Sequence, residues 1–192
     1  PSTKFYVEAK LAGTPWITRL PFPVQVVERV ETLDQISRNR FVSRYTYHHG
    51  YFDGVEREFR GFARVDQYDT EDFATLNASG ALPAAANEDA ASNVPPMLTK
   101  TWFHTGFFFN AESITTALQN EYYREGDPAT GIAGLNAAEA QSLFLPDTAL
   151  PTTVLLSDGT RITYDLSGEE MREACRALRG SILRQEVYAE DS

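Results

Sequence analysis

Three histidines, one cysteine and one Glu-x-Glu pair are the residues of this chain whose types and spacing suit chemistry. His48 and His49 are adjacent, within the stretch RYTYHHGYFDGVEREFRGFARVDQYDTED from Arg44 to Asp72. Neighbours in an extended strand project to opposite faces, so the two imidazoles are not expected to share one metal ion without a local distortion. No Cys/His/Asp cluster of metal-ligand spacing surrounds His104. All three histidines are therefore expected to be hydrogen-bonded structural residues, and no metal or cofactor is implied. Glu56 and Glu58 are two residues apart, a spacing that puts both carboxylates on one face of a strand. Cys175 lies among Met171, Ala174 and Leu178 at helical spacing, which places its thiol in a core rather than beside a base.

ADP-ribosyltransferases use a Glu-x-Glu pair, but they also carry an aromatic-Ser-Thr-Ser strand, and no Ser-Thr-Ser occurs here. The simpler expectation is an outward charged face on which Glu56, Glu58 and Arg60 form a ladder across a hairpin. Gly-x-Ser-x-Gly, Gly-x-Gly-x-x-Gly and the phosphate-cradling Gly-Lys-Ser/Thr are likewise missing from the sequence. Residue chemistry alone therefore indicates a mainly β protein without a visible catalytic centre.

The elements that must position these residues follow from periodicity. Phe41, Tyr45, Tyr47 and Tyr51 share one parity while Arg44, Thr46 and His48 take the other, the pattern of a half-buried strand over 41–52. Val55, Phe59, Ala63 and Val65 continue it over 55–66, so Asp53-Gly54 is expected to be a tight type I′ turn joining a long antiparallel hairpin. Gly61 suggests a bulge in the second strand. Lys4–Lys10 reads as a strand, as does Val24–Leu33 after the interruption by Pro21 and Pro23. Residues 34–40 supply turn chemistry, and 74–96, dense in Ala, Asn, Ser and Pro, reads as a surface loop.

Further on, MLTKTWFHTGFFF predicts an aromatic strand, and Ile114, Leu118 and Tyr122 fall at helical spacing. Asn136 with Glu139 marks another helix start. A second hairpin turns at Asp158-Gly159, and Ser167 with Glu170 forms a capping box for a helix from Gly168 to Arg179, stopped by Gly180. SILRQEVYA closes the chain as a strand. The fold class is mainly β with a few short helices, residues 1–192 forming one segment.

With 192 residues the chain is long enough to bury a core without disulfides or metals. Its formal charge is −10, from 17 basic and 27 acidic residues, which disfavours nucleic acid and anionic membrane surfaces as partners. No apolar run approaches the roughly 20 residues of a membrane-spanning helix. The chain starts without methionine and meets strand-like runs at both ends, so both ends are expected to continue into a longer polypeptide.

Four blocks resemble a known family: WITRLPFPVQVVERVE, SRYTYHHGYFDGVEREFRGFARVDQYDTE, LTKTWFHTG and REACRALRGSILRQEVYAED. They are similar to the middle region of the B component of bacterial insecticidal toxin complexes, the TcdB/SpvB-type proteins. Ala63 and Tyr68 depart from that pattern, where glycine and tryptophan are expected. The resemblance implies a non-enzymatic part of a secreted toxin complex, its long hairpins contributing to a larger hollow β-shell. It implies partnership with the C component, whose Rhs/YD repeats complete that shell, with the toxic effector enclosed by it, and with the channel-forming A component through the rest of the chain. On this reading Tyr47, His48, His49, Gly50, Tyr51, Asp53, Gly54, Glu56, Arg57, Glu58, Phe59, Arg60, Gly61 and Phe62 form a structural hairpin unit of the shell wall. No catalytic, cofactor or metal residues are implied. The alternative is a carbohydrate- or protein-binding β module that uses exposed aromatics at Tyr45, Tyr47, Tyr51 and Trp102, and exposure separates the two.

Overall fold

The structure, a computed structural model, describes residues 1–33, 36, 40–70, 96–124 and 134–189. Its centre is a five-stranded antiparallel sheet built from β1 (Arg29–Leu33), β2 (Arg40–Asp53), β3 (Glu58–Thr70), β4 (Met97–Phe103) and β7 (Ile182–Ala189), in the order β1-β2-β3-β4-β7. A separate two-stranded hairpin pairs β5 (Thr153–Leu155) with β6 (Arg161–Thr163). Among the described residues four helices accompany them: α1 (Thr3–Leu11), α2 (Ala111–Gln119), α3 (Ala137–Leu143) and α4 (Gly168–Ala177). None is long and apolar enough to cross a membrane. The loop expected over 74–96 lies, but for Pro96, outside the described residues, as does most of the turn at 34–40.

Local signals produced the elements they predict. Glu170 donates its amide to Ser167 Oγ at 3.3 Å while Ser167 donates its amide to Glu170 Oε2 at 2.8 Å, completing the box that starts α4. Asn136 and Glu139 exchange the same pair of bonds at α3, both at 2.9 Å. Ile114 and Leu118 bury the inner face of α2 against Ala63, Trp102 and Phe107, which form the core cluster. Cys175 is buried on α4, as its helical stripe predicts.

Two expected strands are corrected. Lys4–Lys10 belongs to helix α1, because Phe5 and Ala9 are one helical turn apart and are the positions it buries. The alternation of Phe5, Val7 and Ala9 fits both periods, and Val7 is exposed. Ser2 anchors the start of α1: its amide donates to Val24 O at 2.8 Å and its hydroxyl accepts the Val24 amide at 3.0 Å. Of Val24–Leu33 only Arg29–Leu33 pairs as a strand. The preceding residues still run beside β2 as an irregular strap, through Tyr45 N to Glu28 O at 2.8 Å and Phe52 N to Arg19 O at 3.2 Å.

The central hairpin forms with β2 paired to β3 from Val42↔Thr70 to Asp53↔Glu58, but its turn differs from expectation. Residues 54–57 make a longer turn. The Asp53 carboxylate accepts the amides of Val55 and Glu56 at 2.9 and 3.1 Å, and Arg57, with φ 55°, takes the left-handed conformation expected of an Asp-Gly turn. The side-chain cap on Asp53 replaces the type I′ geometry.

A bulge lies where Gly61 suggests one. Tyr51 pairs with Gly61 and Phe52 with Phe59, so Arg60 is the extra residue, and Gly61 supplies a φ of +102° that a residue with a side chain rarely adopts. The single aromatic parity of β2 is interrupted at His49, whose φ is 57°. Tyr47 packs on Phe5 and Phe62, whereas Tyr51 packs against the Trp102 cluster.

Gly50 lets the strap approach the sheet. A Cβ there would lie 2.8 Å from Trp16 Cζ3, 2.9 Å from Leu20 Cδ2 and 3.2 Å from Phe62. Trp16 is itself held edge-on to Tyr6 and Phe62, so its ring has little room to yield. Gly50→Ala is expected to destabilise by about 1–3 kcal/mol, the usual cost of overpacking. Urea unfolding checks this, and an unchanged midpoint would mean the strap is free to shift.

Candidate functional site

The hairpin carries two networks of charged side chains, one at each end of the stretch that holds the reactive-looking residues. The first is centred on Glu121, just past the C-terminus of α2. Its carboxylate accepts His49 Nε2–H at 2.7 Å, Arg64 Nη1–H at 2.9 Å and the Trp102 indole N–H at 3.1 Å. Arg64 also meets Asp66, with Nη2 donating to Oδ2 at 3.1 Å, and the same Oδ2 contacts His48 Nε2 at 3.1 Å. A chain of polar contacts therefore runs from His48 through Asp66, Arg64 and Glu121 to His49. The Arg64 guanidinium lies 5.9 Å from the Trp102 ring centroid, adding a cation–π contact.

This overturns the expectation that the adjacent histidines lead to opposite faces. The left-handed backbone at His49 is the local distortion that ordinary strand geometry lacks, and the two imidazole centroids are 6.0 Å apart. They join one network through Asp66, Arg64 and Glu121. Among the described residues no group of three or more His, Cys, Asp or Glu is arranged to hold a metal ion.

Burial by itself would raise the Glu121 pKa, but the His49 hydrogen bond and charge, the Arg64 charge and the Trp102 hydrogen bond outweigh it and bring the value down to about 2. Asp66 is lowered in the same way, its burial overcome by the bond from His48 and the charge of Arg64. His104 follows the opposite logic. It stacks on Phe107 at 4.4 Å, accepts the Gly106 amide on Nδ1 at 2.8 Å and contacts Thr148 Oγ1 at 2.8 Å. Burial keeps it neutral and lowers its pKa from 6.5, with Asp147 opposing the shift.

These directions fix the pH dependence of stability. As pH falls through 6.5, the unfolded chain protonates its histidine before the folded one protonates His104, so stability begins to drop. The contribution of Glu121 is complete above its ordinary 4.5 and is lost as pH falls from there towards about 2. Chemical unfolding across a pH series is expected to show a plateau above neutrality and then two successive declines. A stability maximum near pH 4, on the order of the unperturbed carboxylate range, would contradict this.

The second network joins the hairpin tip to α4. Arg60, turned inward by the bulge, is 2% exposed. Its Nη2 lies 2.9 Å from Asp53 Oδ2, its Nη1 donates to Gly106 O at 2.6 Å and its Nε is 3.4 Å from Glu58. Glu58 also takes Arg179 at 2.6 Å and Arg176 at 3.3 Å, and Glu56 pairs with Arg172 at 2.8 Å. The ladder expected from Glu56, Glu58 and Arg60 across the hairpin is therefore absent. Glu56 sits in the turn, so the two carboxylates do not share a strand face, and both close onto the arginines of the C-terminal helix and its cap.

Sequence reasoning named His48, His49, Asp53, Glu56, Glu58 and Arg60 but not their partners. Arg172, Arg176 and Arg179 repeat at i, i+4 and i+7, a basic stripe that could have been matched to the acidic hairpin tip. Glu121 carries no such signal, being 72 residues from His49. Burial of the Cys175 thiol raises its pKa, and the nearby Asp147 reinforces this, so it lacks the character of an activated nucleophile. Phe59 and Phe62 complete the packing, their rings 5.4 Å apart.

Residues 1–106 match the family profile described as the insecticide toxin TcdB middle/N-terminal region. Among solved structures, the whole chain aligns with a crystal structure of TcdB2-TccC3-TEV at 28% identity and a TM-score of 0.66. It aligns with TcdB2-TccC3 at 28% and 0.63, and with a Photorhabdus luminescens Tc holotoxin pore carrying a substituted TccC3 at 29% and 0.65. In each case it spans 8% of the matched chain. No curated protein sequence matches it significantly.

Proposed function

From the premise that the chain belongs to the insecticide toxin TcdB middle/N-terminal region family, we propose that it is a non-enzymatic wall segment of a secreted toxin complex. In this reading its sheet forms part of a hollow β-shell, completed by the C component, that encloses a toxic effector until delivery through the channel-forming A component. The observation that carries the reading is the open sheet. Among the described residues β1 and β7 each pair on one side only, and all five residues of β1 are exposed. An edge strand presents backbone groups along which a further strand can pair, and a closed wall uses both edges in this way.

The charged networks suit this role. Glu56, Glu58, Asp53 and Glu121 are each engaged by arginines, an arrangement that braces a hairpin against a helix and leaves no free carboxylate for acid–base work at the Glu-x-Glu pair. The binding-module alternative is disfavoured at the aromatics it relies on. Trp102 is fully buried and donates to Glu121, while Tyr47 packs against Phe5 and Phe62 and donates its hydroxyl to Val27 O at 2.8 Å.

Sedimentation of residues 1–192 across a concentration series, beside a longer version with its native flanks, tests the proposal. The wall reading expects the shorter chain to self-associate through unpaired edges. A strictly monomeric chain that unfolds as cooperatively as the longer one would favour an autonomous binding module instead.

A further inference from the structure

His49 holds two structures together with its two ring nitrogens, and the bonds require opposite things of them. Nδ1 accepts the amide of Ile17 in the strap at 3.1 Å, so it carries no proton. Nε2 lies 2.7 Å from Glu121 Oε1, an acceptor, so it carries the hydrogen. The neutral Nε2–H tautomer is therefore fixed by geometry. A second proton has only Nδ1 to occupy, where it would face the Ile17 N–H donor to donor.

We propose that His49 is a proton-operated latch: protonation at Nδ1 detaches the strap at Ile17 from the edge of β2 while the Glu121 contact stays in place. The charged groups around the ring support this asymmetry. Glu121, from the segment after α2, remains ionised throughout mild acid, its pKa being about 2, and so stays an acceptor for Nε2–H. Arg64 on β3 opposes the added charge, but it is already neutralised by Glu121 and Asp66. His48, the neighbour on β2, is turned to Asp66. Trp102 on β4 is neutral and bonds only to the far carboxylate oxygen. From the strap itself, the backbone amide of Ile17 is the group that meets the ring.

Release has a defined consequence. The strap covers β2 where β1 no longer reaches, with Thr18 Oγ1 donating to Gly50 O at 3.0 Å and Phe52 N donating to Arg19 O at 3.2 Å. Loosening at Ile17 strains the first of these next and exposes the β2 backbone from Gly50 to Phe52 as an edge that another strand can join. The inference stands on local geometry and is independent of the proposed wall function.

Hydrogen exchange read by mass spectrometry on the protein at its full natural length tests it, with rates corrected for the intrinsic pH dependence of exchange. Between about pH 7.5 and about pH 5, the interval in which an imidazole changes charge, protection in peptides spanning residues 14–20 is expected to fall on the order of tenfold, the worth of one hydrogen bond. Peptides from β3 and β4 are expected to stay unchanged. His49→Asn keeps an acceptor near Ile17, tolerates the left-handed backbone and cannot titrate, so it is expected to abolish the change. Unchanged strap protection in the wild type, or an equal fall in His49→Asn, would overturn the proposal. Should His49→Asn fail to fold, His48→Gln decides: a retained transition supports the latch at His49, and a lost one overturns it.

Discussion

Arg60→Ala is expected to destabilise the protein by about 3–5 kcal/mol, the cost of stranding one member of a buried ion pair. Arg60 is 2% and Asp53 3% exposed, so removing the guanidinium leaves a buried carboxylate with no counter-charge. The Gly106 carbonyl loses its donor as well. For a chain of this length the loss corresponds to a fall in melting temperature of roughly 10 °C. Arg60→Lys is expected to recover only part of it, because one ammonium cannot reach Asp53, Gly106 and Glu58 in the geometry of a planar fork. Calorimetry on the three proteins checks the order. A loss below about 1 kcal/mol for Arg60→Ala would mean that the hairpin tip is not held by this pair.

Glu121→Ala is expected to cost about 3 kcal/mol or more, since it strips Arg64, His49 and Trp102 of a shared acceptor in a mostly buried site. Glu121→Gln is expected to cost less, because its amide oxygen still accepts one of the three bonds. The network predicts non-additivity: in a double-mutant cycle with Arg64→Ala, the loss in the double mutant is expected to fall short of the sum of the two single losses by at least about 1 kcal/mol. Additive losses would mean that Glu121 acts on its neighbours independently.

The parts of this fold that were legible in the sequence are those set by neighbours along the chain. The capping box of Ser167 and Glu170, the Asp158-Gly159 hairpin and the bulge at Gly61 all depend on residues within a few positions of one another. Helix α1 is ambiguous in the sequence because Phe5 and Ala9 satisfy a period of two and a period of four at once, and the packing of Phe5 on Tyr47 separates them. Adjacency in a strand implies opposite faces for His48 and His49, and nothing in their identity announces the left-handed backbone at His49. The partners of the Glu-x-Glu pair on the C-terminal helix and its cap lie more than a hundred residues away, Arg179 being 121 positions from Glu58. Such pairing is written in the tertiary fold and not in local spacing.

The central claim is that the open five-stranded sheet is one panel of a closed wall. The most direct test is an electron cryo-microscopy reconstruction of the full-length protein assembled with its C component. The wall account expects the outer backbone groups of β1 (Arg29–Leu33) and β7 (Ile182–Ala189) each to be hydrogen-bonded to a further strand, with the sheet continuous around an enclosed space. A sheet standing outside the shell, with both edges open to solvent in the assembled complex, would contradict it.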